Sequence, residues 1–169
     1  MKGEIVNKIE RSGLITLEMK SFKGVQERSF IDIQQWLFNG LILKEKYFRS
    51  QLKNYDWEQY KDKYVAIFCS VDTIIPVWAY MLVANYLKPY ASKSILGNKL
   101  SLEKEIFEIN IKQLNPNDYI DKKILIKGCS DTYIPEESFV LICEILMDYA
   151  KSLKFGEACS NVPIFRKKN

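Results

Sequence analysis

The sequence predicts a single α/β domain with internally duplicated strand–helix–strand units and a mixed, mostly parallel sheet. The first observation is an internal repeat, which relates residues 60–97 to residues 119–156. Four residues of the first copy recur 59 positions later: Tyr60, Asp62, Pro76 and Tyr90. The second observation is that each copy passes from a short apolar run to an amphipathic segment. The third is that no linker or low-complexity run divides the 169 residues.

Each copy begins with a predicted strand, at residues 65–68 and 124–126, because short β-branched runs are typical of buried strands. A helix is predicted next, with Thr73 and Thr132 as expected N-caps. In the second copy its apolar face has the spacing of an α-helix. That face consists of Phe139, Ile142, Cys143, Leu146 and Ala150. The strand that follows makes a unit that favours parallel pairing.

The remaining segments complete the predicted order. Residues 14–17 and 29–32 read as strands, residues 34–54 as a helix interrupted near Gly40, and residues 101–114 as a helix with a capping box at Ser101. Residues 1–35 are interpreted as an addition to the duplicated core, and residues 157–169 as a C-terminal tail.

Composition narrows the functional classes. A net charge of +4, from 25 basic and 21 acidic residues, argues against a nucleic-acid-binding surface. The most apolar stretch, residues 65–87, is interrupted by polar residues and proline, so no membrane span is expected. The first residues do not resemble a signal peptide, which predicts a cytoplasmic protein. In that compartment the four cysteines are expected to be thiols or metal ligands rather than disulfides.

The chain contains no histidine. No Cys–His or Ser–His dyad can form, and no imidazole can bind a metal or transfer protons near neutral pH. Any chemistry must therefore use thiols, carboxylates, lysines, tyrosines or a bound cofactor.

Three of the four cysteines are followed by serine, at Cys69, Cys129 and Cys159. The first two are placed where a parallel strand ends and a helix begins, which is the edge of an α/β sheet that binds ligands. Positive potential at helix N-termini lowers thiol pKa values and favours metal binding. The serines, Ser70, Ser130 and Ser160, are predicted to support the sulfur atoms by hydrogen bonds.

Three thiolates without imidazole suit zinc, an iron–sulfur cluster or copper(I). The fourth ligand is predicted to be Asp72, Asp131 or Glu157, a solvent molecule, or a group from a partner. We therefore expect a metal- or iron–sulfur-binding accessory or carrier protein, rather than an enzyme, and assign no catalytic residue.

Two alternatives stay open. The cysteines are also consistent with small apolar core residues of a non-catalytic interaction module, because free cysteine is often buried. This interpretation is preferred for Cys143, which lies on an apolar helix face where the first copy has Ala84. The other alternative is a redox or sulfur-transfer protein that uses a reactive thiol.

Several segments resemble a bacterial family of uncharacterised proteins, the domain of unknown function 2480. They are residues 1–20, residues 32–46, both Cys-Ser loops of the repeats, and residues 155–163 around Cys159. The resemblance covers nearly the whole chain and implies a stand-alone cytoplasmic protein without an assigned activity. It also implies iron–sulfur assembly proteins as partners. Ala158 stands where relatives are expected to have proline.

Overall fold

The computed structural model describes residues 13–128 and 131–168. The chain divides into two compact units, Val25–Glu105 and a second unit formed by Met1–Gly24 with Ile106–Asn169. In chain order the described elements are β1 (Leu14–Glu18), β2 (Arg28–Asp32), α1 (Glu45–Lys53), β3 (Tyr64–Phe68), α2 (Val77–Leu87), β4 (Lys93–Leu96), α3 (Lys99–Lys112), β5 (Lys123–Lys127), α4 (Glu136–Met147), β6 (Ser152–Glu157) and β7 (Ser160–Arg166).

The strands form two sheets. In the Val25–Glu105 unit, β2, β3 and β4 pair in parallel in that spatial order. In the second unit the order is β1-β5-β6-β7, where β1, β5 and β6 are parallel and β7 is antiparallel to β6. The predicted α/β class and the mostly parallel pairing are confirmed. Each repeat contributes its two strands to its own sheet.

The N-terminal segment, interpreted as an addition, supplies one strand to each sheet. β1 pairs with β5 and β2 pairs with β3, each in parallel. Both strands show the same burial pattern, and each leads into a 3-10 helix, Met19–Lys23 or Ile33–Trp36. The repeated structural unit is therefore larger than the repeat visible between residues 60 and 156.

Each unit has its own apolar core. In the Val25–Glu105 unit, Trp36, Phe48 and Trp57 are buried together with the inner face of α2. In the second unit, Ile124 and Ile126 of β5 pack with the inner face of α4. The predicted apolar face is confirmed, because all five of its residues lie in or against this core. Four of them, Cys143 included, are on α4, and Ala150 follows the end of the helix.

The same turn precedes the second strand of each sheet. Asp62 and Asp121 have φ values of 59° and 55°, a left-handed conformation that aspartate tolerates better than most residues. Their N–H groups donate to the carbonyls of Tyr90 and Tyr149, respectively, at 3.0 and 2.9 Å. The aspartates and tyrosines that recur after 59 residues therefore form one structural device in both units.

The helix predicted over residues 34–54 is interrupted near Gly40 as expected, but before the interruption only the 3-10 helix Ile33–Trp36 is helical. A tight turn with positive φ at Asn39 and Gly40 joins Phe38 to Ile42, which form an isolated antiparallel bridge. Such a turn cannot continue a right-handed helix. The α-helix starts only at Glu45.

The predicted helix starts were also displaced. Pro76 and Pro135, not Thr73 and Thr132, occupy the N-cap positions of α2 and α4. The Thr73 hydroxyl instead donates to the carbonyl of Leu41 at 2.9 Å. For α3, the side chain of Asn98 accepts the Ser101 N–H, so Asn98 takes the capping role that was assigned to Ser101.

The segment predicted as a C-terminal tail contains a strand. β7 follows β6 through a tight hairpin. The alternation of inward and outward residues along β7 is irregular, because Pro163 lies at a register shift opposite Leu153 and Lys154. Within residues 13–128 and 131–168, no helix is both long and apolar enough to cross a membrane.

Candidate functional site

The structure describes two of the three predicted cysteine ligands, Cys69 and Cys159. Cys129 and Ser130 lie outside the described residues. Cys159 is exposed in the β6–β7 hairpin, and Cys69 is half-buried directly after β3. The described parts of the chain contain no group of three potential metal ligands. Because Cys129 is not among them, the predicted three-thiolate site stays a prediction.

An ion pair lies at the carboxyl edge of the four-stranded sheet, and one of its members is two residues before Cys159 in the sequence. Lys127 ends β5 and its Nζ lies 3.0 Å from Oε2 of Glu157, which ends β6. Ile126 and Phe155 are directly paired one and two residues earlier in these strands. The exits of β5 and β6 are therefore joined by both the sheet and this ion pair.

Gly128 packs tightly at this edge. A Cβ at this position would lie 2.9 Å from the ring of Phe139 and 3.0 Å from the ring of Phe155. The two rings form an edge-to-face pair with centroids 5.6 Å apart. The backbone leading to Cys129 is thus held against α4 and β6.

The hairpin that presents Cys159 is built around Gly156 and Asn161. Gly156 has a φ of 123°, and a Cβ there would lie 2.6 Å from the Ser160 carbonyl oxygen. The Asn161 amide donates to the carbonyls of Glu157 and Ala158 at 3.2 and 3.3 Å. These contacts fix the turn and leave the Cys159 side chain in solvent.

The three predicted carboxylate ligands differ in availability. Glu157 is engaged by Lys127, so it would have to leave that ion pair to bind a metal. Asp131 and Asp72 are exposed, and neither forms an ion pair with another described residue. Asp131 belongs to the unit that contains Cys159, whereas Asp72 belongs to the Val25–Glu105 unit.

The Cys69 loop is bonded to the neighbouring strand. The Ser70 N–H donates to Oδ1 of Asp32 at 3.1 Å, and the Ser70 hydroxyl donates to Oε1 of Gln34 at 2.8 Å. The predicted support of sulfur by Ser70 is therefore corrected, because both of its donors bond other groups. The Cys69 thiol donates to the Val71 carbonyl at 3.6 Å. Ser160 is exposed at the start of β7, and its support of the Cys159 sulfur stays a prediction.

Asp32 is the centre of this arrangement. Burial raises the pKa of its carboxyl, but hydrogen bonds from Ser70 and from the Gln34 N–H outweigh burial and hold the pKa below its usual range. Asp32 also caps the 3-10 helix Ile33–Trp36 through the Gln34 N–H. It therefore joins β2, the 3-10 helix and the Cys69 loop.

Replacing Asp32 with alanine is expected to lower the free energy of unfolding by about 1 kcal/mol at pH 7, the usual effect of losing a cap. Since the folded pKa lies below the unfolded value of about 3.9, this contribution is present above pH 4 and is lost as the pH falls through the folded pKa. Urea unfolding at pH 7 and pH 3, followed by tryptophan fluorescence, measures it. Asp72→Ala is the control, and an equal loss in both variants would contradict the assignment.

Sequence reasoning missed Asp32 and Gln34 as site residues. One signal was present: β1 and β2 both end on an acidic residue, Glu18 and Asp32, at matching positions. The two differ in partner, however. Glu18 pairs with Lys20 at 2.8 Å, and the hydrogen bond and charge of Lys20 lower the Glu18 pKa.

Cys143 behaves as the core interpretation expects. It is half-buried on α4 against the core of its unit, and burial raises the pKa of its thiol. A thiol with a raised pKa is a poor metal ligand and a poor nucleophile near neutral pH. The described thiol best placed to react or bind is therefore Cys159.

Comparison with curated proteins and with solved structures gives no match. A family model described as "Protein of unknown function (DUF2480)" matches residues 3–167, which is nearly the whole chain. The match includes both repeats, the N-terminal strands and the hairpin that bears Cys159. The chain therefore belongs to the DUF2480 family.

Proposed function

We propose that this protein binds a metal ion or an iron–sulfur cluster through cysteine thiolates and acts as an accessory or carrier protein. The proposal places Cys129 and Cys159 at the carboxyl edge of the four-stranded sheet. The observation that carries it is the pairing of the two strand exits that lead to these cysteines, joined by Lys127 and Glu157.

The covalent chain supports this placement. Consecutive Cα atoms are about 3.8 Å apart, so covalent geometry fixes the Cα of Cys129 at that distance from the Cα of the packed Gly128. Neighbouring strands are about 4.8 Å apart, and β5 and β6 are direct neighbours. Cys159 follows the end of β6 by two residues. Two thiols are thereby tethered to adjacent strand ends within one unit.

The donor set fits the proposed ligand chemistry. Thiolates select zinc, copper(I) or iron–sulfur clusters. Asp131 is the carboxylate that the proposal favours as a further ligand, because Glu157 is already held by Lys127. A bound zinc ion would supply Lewis acidity, and a bound iron–sulfur cluster would supply redox activity.

Cys69 stays a proposed ligand. It follows β3 as Cys129 follows β5, but it belongs to the Val25–Glu105 unit and packs against that unit's core. A core role is therefore the alternative for this residue. Single substitutions separate the two, because a core residue affects stability without affecting metal content.

The test is metal content after anaerobic purification and reconstitution with zinc or with iron and sulfide. About one equivalent of zinc or one cluster is expected in the wild-type chain, with a loss of at least tenfold in Cys129→Ser and Cys159→Ser, because each removes a thiolate. Cys69→Ser is measured in parallel.

Cys143→Ala is the matched control, because the first repeat has alanine at the equivalent position. It should retain the wild-type metal content. A wild-type chain that holds less than a tenth of an equivalent under every condition would contradict the proposal and favour the interaction-module alternative. Delivery to iron–sulfur assembly proteins is the partner role that we propose for the loaded protein.

A further inference from the structure

A cationic pocket lies on the four-stranded sheet, away from the edge that bears Cys159. Its volume is about 410 Å³. The cations that line it are Lys123 of β5, Lys151 and Lys154 at β6, and Arg166 of β7. Ser152 and Pro163 are among the other lining residues. Three adjacent strands thus contribute positive charge to one concave surface.

The strand register explains the convergence. Lys123 and Arg166 both pair with Ser152, one from each side. Directly paired residues point to the same face of a sheet, and strands are about 4.8 Å apart, so the two cations flank Ser152 on either side. Lys154 lies two residues along β6 and therefore projects from the same face.

These cations have no acidic partner among the described residues. None of the four has a described carboxylate within salt-bridge distance, whereas the adjacent Lys167 pairs with Asp121 at 3.5 Å. Like charges gathered without counter-charges repel one another and destabilise the compact state. A bound anion would remove that cost.

The first repeat lacks this charge cluster. At the positions 59 residues earlier, Lys123, Lys151 and Lys154 correspond to Tyr64, Ser92 and Ile95. The cation that does occur there, Lys93, is neutralised by Glu105 at 2.8 Å. The duplication therefore does not account for the basic pocket, which is specific to the second repeat.

We propose that this pocket binds a small anion that carries a diphosphate or triphosphate group. Its volume lies within the range of small-molecule sites. Three lysines and one arginine match the charge of such a group. The arginine can bind two phosphate oxygens at once, and the Ser152 hydroxyl can donate a further hydrogen bond.

The test is a calorimetric titration of the full chain with inorganic pyrophosphate at low salt. One binding event is expected, weakened at least tenfold in Lys123→Gln/Lys154→Gln/Arg166→Gln. The control is Lys53→Gln/Lys61→Gln/Lys88→Gln, which removes the same charge from exposed sites of the Val25–Glu105 unit. The control should bind within twofold of wild type. Equal weakening in both triple variants, or none in either, would overturn the proposal.

Two further arms sharpen this result. Arg166→Gln alone is measured together with its thermal denaturation, so that a folding defect is not read as lost binding. Pyrophosphate chelates metals, so it could also bind through a metal held by the cysteines. The Cys129→Ser/Cys159→Ser variant excludes this route. It should still bind pyrophosphate, because the basic pocket contains neither cysteine. ADP is titrated in parallel. Tighter binding of ADP than of pyrophosphate would indicate a nucleotide ligand, and weaker binding would indicate a ligand without a nucleoside. Binding of an oligonucleotide without binding of pyrophosphate would contradict the site.

Discussion

Replacing Phe48 with alanine is expected to lower the free energy of unfolding by about 3–5 kcal/mol, one of the largest effects of a single substitution in this chain. Phe48 is fully buried on α1. Its ring makes edge-to-face contacts with Trp36 and Trp78, with centroids 6.1 and 6.0 Å away. Truncation removes both aromatic contacts and leaves a cavity that the surrounding rings cannot fill.

Tryptophan fluorescence during urea unfolding measures this effect selectively. The three tryptophans of the chain, Trp36, Trp57 and Trp78, all lie in the Val25–Glu105 unit. Phe30→Ala is the matched control, because this ring is 41% exposed in the same unit. A loss below about 1 kcal/mol is expected there. Similar losses in the two variants would show that Phe48 does not belong to the core.

Gly156→Ala is expected to destabilise the β6–β7 hairpin by about 3 kcal/mol, because two costs add. A φ of 123° is almost confined to glycine and costs about 1–3 kcal/mol for alanine. The new Cβ would also lie 2.6 Å from the Ser160 carbonyl oxygen, which is a backbone atom that cannot move without breaking the turn. Hydrogen exchange at the amides of β6 and β7 reports the loss.

Gly13→Ala separates these costs. Gly13 has a φ of 62°, but a Cβ there would meet no described atom within 4 Å. Only the conformational cost of about 1 kcal/mol remains. If the hairpin amides exchange as slowly in Gly156→Ala as in the wild-type chain, Gly156 does not contact Ser160 in solution. If the thiolate proposal holds, the variant also loses metal, because the Cys159 turn is displaced.

The repeat was readable because its physical basis is local. Pro76 and Pro135 recur at the start of equivalent helices, and Asp62 and Asp121 recur in equivalent left-handed turns. Turn geometry depends on a few adjacent residues, so a sequence pattern preserves it. The helix starts were harder to predict. A threonine shortly before a proline is an N-cap candidate, but its hydroxyl can bond a distant group instead. The Thr73 hydroxyl does so with the carbonyl of Leu41.

The candidate site was readable only in part. The Cys-Ser pairs marked the loops after β3 and β5, but the partners of Ser70 lie far away in sequence, on Asp32 and Gln34. Hydrogen bonds between adjacent strands depend on register, and no local pattern states that register. The role of β7 was hidden for the same reason, because Pro163 makes its sequence atypical of a strand.

The sequence alone determined the α/β class, the duplicated unit, the apolar face of α4, and the family. These follow from periodicity and from local turn chemistry. Only the tertiary structure decided that each repeat has its own sheet, that β1 and β2 complete these sheets, and that four cations meet around Ser152. Strand pairing over long sequence separations makes those choices, because it depends on which backbones exchange hydrogen bonds rather than on neighbouring residues.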